Sequence, residues 1–207
     1  MGPPSARASP TLEVSLLSFL GESMNITRAI AGYRKLSRRV RGGIMTAAIR
    51  VGGGKVGPGL EVEPGTTLRW GGHSGINIGS GVRFGSGVIL DVPVGGKLSI
   101  GDRVKVMHHT VIAASESLTI GRDTQIAEHC SIRDSDHGLD ADKLIRDQNI
   151  SSPTVIGSDV WIARGSAVLR GAVIGDKAVI GANSVARGTV QPRSISVGAP
   201  AQHKKYR

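Results

Sequence analysis

The chain has 207 residues, among them 30 Gly, two each of Trp, Tyr and Phe, and one Cys, and it carries a formal charge of +10. That length allows one domain, or a domain with an appendage, and a sizeable core. Gly at about 14% is roughly twice the ordinary share, yet no Gly-X-Y period runs through the chain and aliphatic residues are plentiful, which excludes collagen and simple disorder and suits a turn-rich β protein.

The single Cys130 leaves no intrachain disulfide and no Cys pair for a structural zinc site. A reducing compartment and a cytoplasmic location, at most peripheral at the inner face of a membrane, are expected. No apolar run approaches the roughly 18–20 residues that span a bilayer, and the segment 12–20 is too short and lacks a basic flank, so no signal peptide is read. The charge first suggests nucleic acid, but it is unevenly placed. Residues 23–60 hold eight Lys/Arg and no Asp/Glu, residues 61–202 hold 14 of each sign, and the last five residues add three cations. A neutral body with so few aromatics offers neither a phosphate track nor stacking platforms, and no nucleic acid is expected as a partner.

Residues 1–11, rich in Pro, Ser and Ala, read as a mobile tail. Over residues 25–44, Ile26, Ile30, Tyr33, Val40 and Ile44 recur at helical spacing, while Arg28, Lys35, Arg38, Arg39 and Arg41 fall largely on other faces. This predicts a basic amphipathic helix with Asn25 as its N-cap. Gly42, Gly43 and then residues 52–54 break the pattern and mark a linker, so that residues 1–55 form an N-terminal α-helical appendage. The helix has two readings: it caps the open end of the domain that begins at Val56, or it lies on an anionic membrane surface.

From Val56 the pattern changes. An aliphatic residue or Phe stands at positions 56, 62, 68, 78, 84, 90, 94, 100, 106, 112, 120, 126, 132, 156, 162, 168, 174 and 180, a period of six. Stretches such as Ile174-Gly-Asp-Lys-Ala-Val179 and Ile180-Gly-Ala-Asn-Ser-Val185 show the unit. Six matches neither the helical 3.6 nor the two of a strand, but it does match a short strand plus a corner. Three units make a triangular coil of about 18 residues, with the first apolar residue of each unit inward and a small residue where the backbone turns. About six coils stacked at roughly 4.8 Å give a prism on the order of 30 Å long.

These hexapeptides, with Val160-Trp-Ile162, Val179-Ile-Gly-Ala-Asn-Ser-Val185 and Val197-Gly-Ala-Pro-Ala201, resemble the hexapeptide-repeat acyltransferases. Within that family the chain is most similar to sugar and polysaccharide O-acetyltransferases such as galactoside and maltose acetyltransferases. The resemblance covers about residues 56–205. It implies an all-β fold, a left-handed parallel β-helix over residues 56–190, followed by a basic tail at 191–207. The handedness comes from the family alone, since ordinary parallel crossovers are right-handed. The resemblance also implies a homotrimer with active sites between subunits, acetyl-CoA as co-substrate, and a carbohydrate or glycolipid acceptor.

The repeat breaks at length between Ile132 and Ile156, where residues 133–154 gather Asp134, Asp136, His137, Asp140, Asp142 and Asp147. Loops projected from a rigid scaffold carry sites more often than the scaffold does. His137 is therefore the candidate general base, a neutral imidazole that takes the proton of an acceptor hydroxyl as that oxygen attacks a thioester carbonyl. The resemblance puts it at the step of the family's catalytic histidine. Asp134, Asp136 and Glu128 are unranked candidates for the acid that holds its tautomer, and backbone N–H groups at a coil corner suit the oxyanion. His108 and His109 stand one coil earlier, where the family often carries an acceptor-contacting Asn, and are acceptor-site candidates. His129 and His73 read as structural.

For the donor, the resemblance assigns Trp161 and Ala163 to a groove wall, and Gly181 and Ala182 to a place where a small residue lets the pantetheine arm approach the backbone. Arg187, Lys204 and Lys205 would face the coenzyme phosphates, although Ala186-Arg187-Gly188 replaces the Thr-Lys-Asp run usual in the family. Three alternatives stay open. One is N-acylation of an amino sugar, and another is a catalytically silent scaffold subunit. The third is a zinc site like that of gamma-class carbonic anhydrases, built from His108, His109, His129 and His137; the paired-histidine spacing of that family is missing, and no metal is expected.

Overall fold

The computed structural model describes the backbone of residues 10–207 and the side chains of residues 26–207. Residues 1–9 of the expected tail lie outside the described residues. The chain divides into two compact units, residues 1–37 and 38–207. One helix, α1 (Pro10–Val51), contributes to both. It is longer than the spacing predicts: Asn25 lies inside it rather than at its N-cap, and Gly42 and Gly43 are helical rather than linker. Its end is set by Gly53, whose φ of +90° only glycine adopts without strain. The amide of Gly53 donates to the Arg50 carbonyl (3.0 Å) and that of Gly54 to the Ile49 carbonyl (2.9 Å), the paired bonds of a Schellman turn.

In the second unit, the last turns of α1 lie against the first coil. Met45 and Ile49 are buried there. Gly42 is required by close approach, because a Cβ at that position would strike the carbonyl oxygen of Leu60. Arg38 pairs with Glu61 (3.3 Å) and Glu63 (3.8 Å), while Arg41 and Arg50 donate to the carbonyls of Val62 (3.0 Å) and Val56 (2.6 Å). Much of the basic charge of this segment is thus used to fasten the helix over the first coil, whose open edge it covers.

Among the described residues, the rest of the unit forms three long parallel sheets. The first runs from Lys55–Val56 to Thr189–Val190, the second from Glu61–Val62 to Ser194–Val197, and the third from Thr67–Arg69 to Val185–Ala186. Each coil passes once through each sheet, giving about six turns of a parallel β-helix. The six-residue period becomes columns of stacked side chains: Val56, Ile78, Ile100, Ile120, Ile156, Ile174 and Val190 are successive register partners in the first sheet, and all are buried. Val94, which the period places inward, is instead 85% exposed, and Leu98 fills the core of that coil.

Coil length varies more than a uniform 18 residues. Register partners in the first column lie 22, 22, 20, 36, 18 and 16 residues apart along the chain. The additional residues collect at one place, the third corner, where the chain leaves the third sheet for the first sheet of the next coil. At the end of the solenoid, residues 191–207 supply the last strand of the second sheet and then Gln202–Tyr206, which turns back antiparallel on it.

The close packing of α1 yields a paired prediction. Gly42→Ala is expected to lower the melting temperature by roughly 4–8 °C, the effect of an overpacking cost near 2 kcal/mol. Gly43→Ala, where nothing lies within 4 Å of the added methyl, is expected to raise it by about 1–3 °C through helix propensity. Thermal denaturation followed by circular dichroism checks both.

Candidate active site

The 133–154 insertion leaves the third corner of the fourth coil, and it is a built element rather than a loose loop. Its base is held by Asp134, a fully buried carboxylate that accepts from the amides of Ser115 (2.7 Å), Glu116 (2.8 Å) and Ser117 (2.7 Å) at the corner of the coil before. The Asp134 carbonyl accepts from the amide of Ser152 (2.8 Å), which closes the neck of the insertion. Beyond it, Ser135–His137 pairs antiparallel with Asn149–Ser151. The tip is organised by Gln148, whose amide group bonds the amide of Asp140 (2.9 Å) and the carbonyls of Asp140 (2.9 Å) and Lys143 (3.1 Å). Asp140 is held below the ordinary aspartate value by its bonds with Lys143 and the Asp142 amide.

His137 ends the first strand of this hairpin with its side chain exposed. It borders a pocket of about 270 Å³ with Arg133, Ser135, Asp136, Asn149, Leu169 and Arg170. Asp136 accepts a hydrogen bond from the backbone amide of His137 (2.9 Å), and among the described residues no carboxylate bonds the imidazole. Of the three acids that sequence puts forward, Asp134 is committed to backbone amides, and Glu128 stands at another corner, paired with Arg164 (3.4 Å). Asp136 alone shares the pocket with the imidazole.

His108, His109 and His129 occupy the second corner, between the second and third sheets. The rings of His109 and His129 stack one coil apart, with centroids 5.4 Å apart and planes at 17°. Both residues adopt the left-handed backbone of the corner. His108 Nδ1 accepts from the amide of Ser86 (3.0 Å), which leaves Nε2 to carry the proton of the neutral ring. Nearby, burial raises Glu63, but the hydrogen bonds and charges of its neighbours, chiefly Arg83 and Ser86, outweigh this and hold it below the ordinary value. Within one chain, then, His108 and His109 do not meet His137. Among the described residues, no group of three His, Cys, Asp or Glu is arranged to hold a metal ion.

The residues assigned to the donor divide in the same way. Trp161 projects outward from the second sheet and lines a groove of about 410 Å³ with Gln125, Val179 and Ile195. Ala163, buried, and Gly181 and Ala182 follow at the adjoining second corner. Gly181 has a packing reason of its own, since a Cβ there would lie 2.5 Å from Val197 Cγ1. Lys204 and Lys205 are exposed on the antiparallel strand that edges the second sheet. Arg187 stands apart from these, exposed at the third corner of the sixth coil. A larger cavity of about 760 Å³ shares Asp123, Gln125 and Asp159 with the Trp161 groove and adds Lys105, Arg122 and Lys177, which sequence reasoning missed. The signal was present in the charged pairs that follow a corner glycine, Asp102-Arg103, Arg122-Asp123 and Asp176-Lys177.

Comparison with known proteins narrows the fold to a family. Residues 153–188 match the model described as bacterial transferase hexapeptide (six repeats). The putative lipopolysaccharide biosynthesis O-acetyl transferase WbbJ of Escherichia coli K12 is 38% identical over 141 residues, which cover 63% of this chain and 72% of that protein. The chain belongs to the hexapeptide-repeat transferase family. It is an acetyltransferase of that family. Among solved structures, the hexapeptide-repeat acetyltransferase VCA0836 of Vibrio cholerae, determined with acetyl coenzyme A, is 25% identical with a TM-score of 0.57, over 63% of this chain and 70% of that one. AntD, an N-acyltransferase from Bacillus cereus determined with dTDP and 3-hydroxybutyryl-CoA, reaches a TM-score of 0.67 at 19% identity over 74% and 82% of the two chains, a likeness of fold.

The neck of the insertion in this transferase gives a prediction that separates its two aspartates. Asp134→Ala removes the shared acceptor of three backbone amides and is expected to cost about 3 kcal/mol, or roughly 6–12 °C in melting temperature. Asp136→Ala, exposed, is expected to leave the melting curve unchanged. Differential scanning calorimetry of the two variants checks the contrast.

Proposed function

We propose that this transferase moves an acetyl group from acetyl-CoA to a sugar hydroxyl of a glycan, polysaccharide or glycolipid precursor, with His137 as general base. The observation that carries the reading is an exposed imidazole on the rim of a pocket, held there by an insertion whose own buried acid anchors it to the solenoid. In the reaction His137 takes the proton of the acceptor hydroxyl as that oxygen forms its bond to the thioester carbonyl carbon. It then returns the proton to the departing sulfur as the carbon–sulfur bond breaks. Asp136 is the acid that shares the pocket with this imidazole. The name of the WbbJ relative, an O-acetyl transferase of lipopolysaccharide biosynthesis, supports a hydroxyl on a glycan as the acceptor.

The donor fits the second face. The exposed indole of Trp161, with Val179 and Ile195, suits the pantetheine arm, the small Ala163, Gly181 and Ala182 suit its approach to the backbone, and Lys204 and Lys205 suit the phosphates. His137 and Arg187 belong to the third corner, so one copy does not bring base and donor groove together. A homotrimer in which the third corner of each copy faces the second sheet and second corner of the next completes the site, and adds His108 and His109 as acceptor contacts.

His137→Ala is expected to fold as the parent does and to lose about 10²–10⁴ in kcat. The assay is thiol release from acetyl-CoA against a panel of sugars and amino sugars, with product mass. Parental turnover in the folded variant would remove His137 from the chemistry, and thiol release with no panel member would favour a scaffold role. Sedimentation equilibrium is expected to give a trimer; a fully active monomer overturns the shared site.

A further inference from the structure

The helix α1 carries apolar residues on two sides, and capping the solenoid uses only one of them. In the second unit Gly42, Met45 and Ile49 face the first coil, while Val40, Ile44 and Val51 are exposed on the opposite side, Ile44 by 67%. In the first unit Ile26, Ile30, Tyr33 and Leu36 are likewise exposed, Tyr33 by 72%. At 100° per residue, the four positions of the first unit fall within about 120° of one another, and the three of the second within about 40°. An exposed apolar stripe of this kind has no solvent role and marks a docking surface.

The charge decides the occupant. Residues 23–60 hold eight cations and no acid. Arg28, Arg34 and Lys35 form no ion pair among the described residues. Arg39 and Arg50, by contrast, are engaged with the first coil, Arg39 pairing with Glu61 (3.7 Å) and Arg50 donating to the Val56 carbonyl (2.6 Å). A second copy packed in register over residues 25–51 would bring cation against cation, since residues 23–60 hold no acid to relieve it. An anionic bilayer offers apolar depth beneath a layer of negative charge, which matches both features. No helix among the described residues is long and apolar enough to cross a membrane, so the mode is in-plane.

We propose that the exposed apolar stripes of α1 dock this enzyme on an anionic lipid bilayer, with phosphate headgroups met by Arg28, Arg34 and Lys35. The site is independent of the acceptor and of His137, and its test needs no turnover. The full chain is sedimented with vesicles of phosphatidylcholine alone, or of phosphatidylcholine with phosphatidylglycerol at about three to one. Partitioning is expected to be at least about tenfold stronger on the anionic vesicles and to fall in about 0.5 M salt. Ile30→Asp/Ile44→Asp, at two exposed positions, is expected to keep the parental melting curve and lose about tenfold or more in partitioning. Arg34→Glu/Lys35→Glu is expected to lose the preference for anionic lipid. Equal partitioning on both vesicle types, or undiminished binding by the folded Ile30→Asp/Ile44→Asp variant, overturns the proposal. So does a lipid-free oligomer that this variant dissolves, since it would give the stripes to a second copy.

Discussion

The vertical register between coils is the constraint on which the rest of the structure depends. Each inward side chain sits on its counterpart one rung away, as Ile100 sits on Ile78 and under Ile120. Because side chains alternate between faces along a strand, a slip of one residue would turn the inward set into water and polar residues into the core. Coil lengths can therefore vary only where the chain is not paired. In this chain the variation is confined to the third corner, which takes up the longer early coils and the long insertion without disturbing a single column.

That confinement shapes the candidate site. The insertion emerges from a corner whose backbone is already fixed above and below, and the buried carboxylate of Asp134 ties it to three amides of the neighbouring coil. Rigidity is supplied at the neck, and at the rim the imidazole of His137 meets solvent in a small polar pocket. The same triangular section that keeps the corners distinct also keeps the histidine away from the groove around Trp161. A transferase built on one such prism has its parts on separate edges, and the proposed trimer is the arrangement that reunites them.

The helix obeys a related logic. A stack of coils ends in unpaired backbone and an open apolar core, and something must cover both. Met45 and Ile49 close the core, while Arg41 and Arg50 reach carbonyls of the first coil. The cost of using a helix as a lid is a second face that the fold itself does not consume, and that face is apolar here.

Much of this was legible in the residues. The period of six from Val56 to Ile180 announces a stacked coil, because only positions that share one environment repeat so strictly, and the break after Ile132 announces the insertion with His137. What the period hid was length: Val94 falls on the count by coincidence and points to solvent, since spacing along the chain does not show which residues belong to a corner. Asp134 and Asp136 look alike in sequence, two acids beside a histidine, and only the third dimension gives one to the amides of residues 115–117 and the other to the pocket. Gly42 and Gly43 read as breakers and turned out helical, because the contact with Leu60 lies 18 residues away along the chain. The sequence by itself determined the repeat, the insertion and the split of charge, all of which are local or periodic. The tertiary structure alone decided which corner each functional group occupies and which acid is spent on folding, because those depend on pairings between residues far apart in the chain.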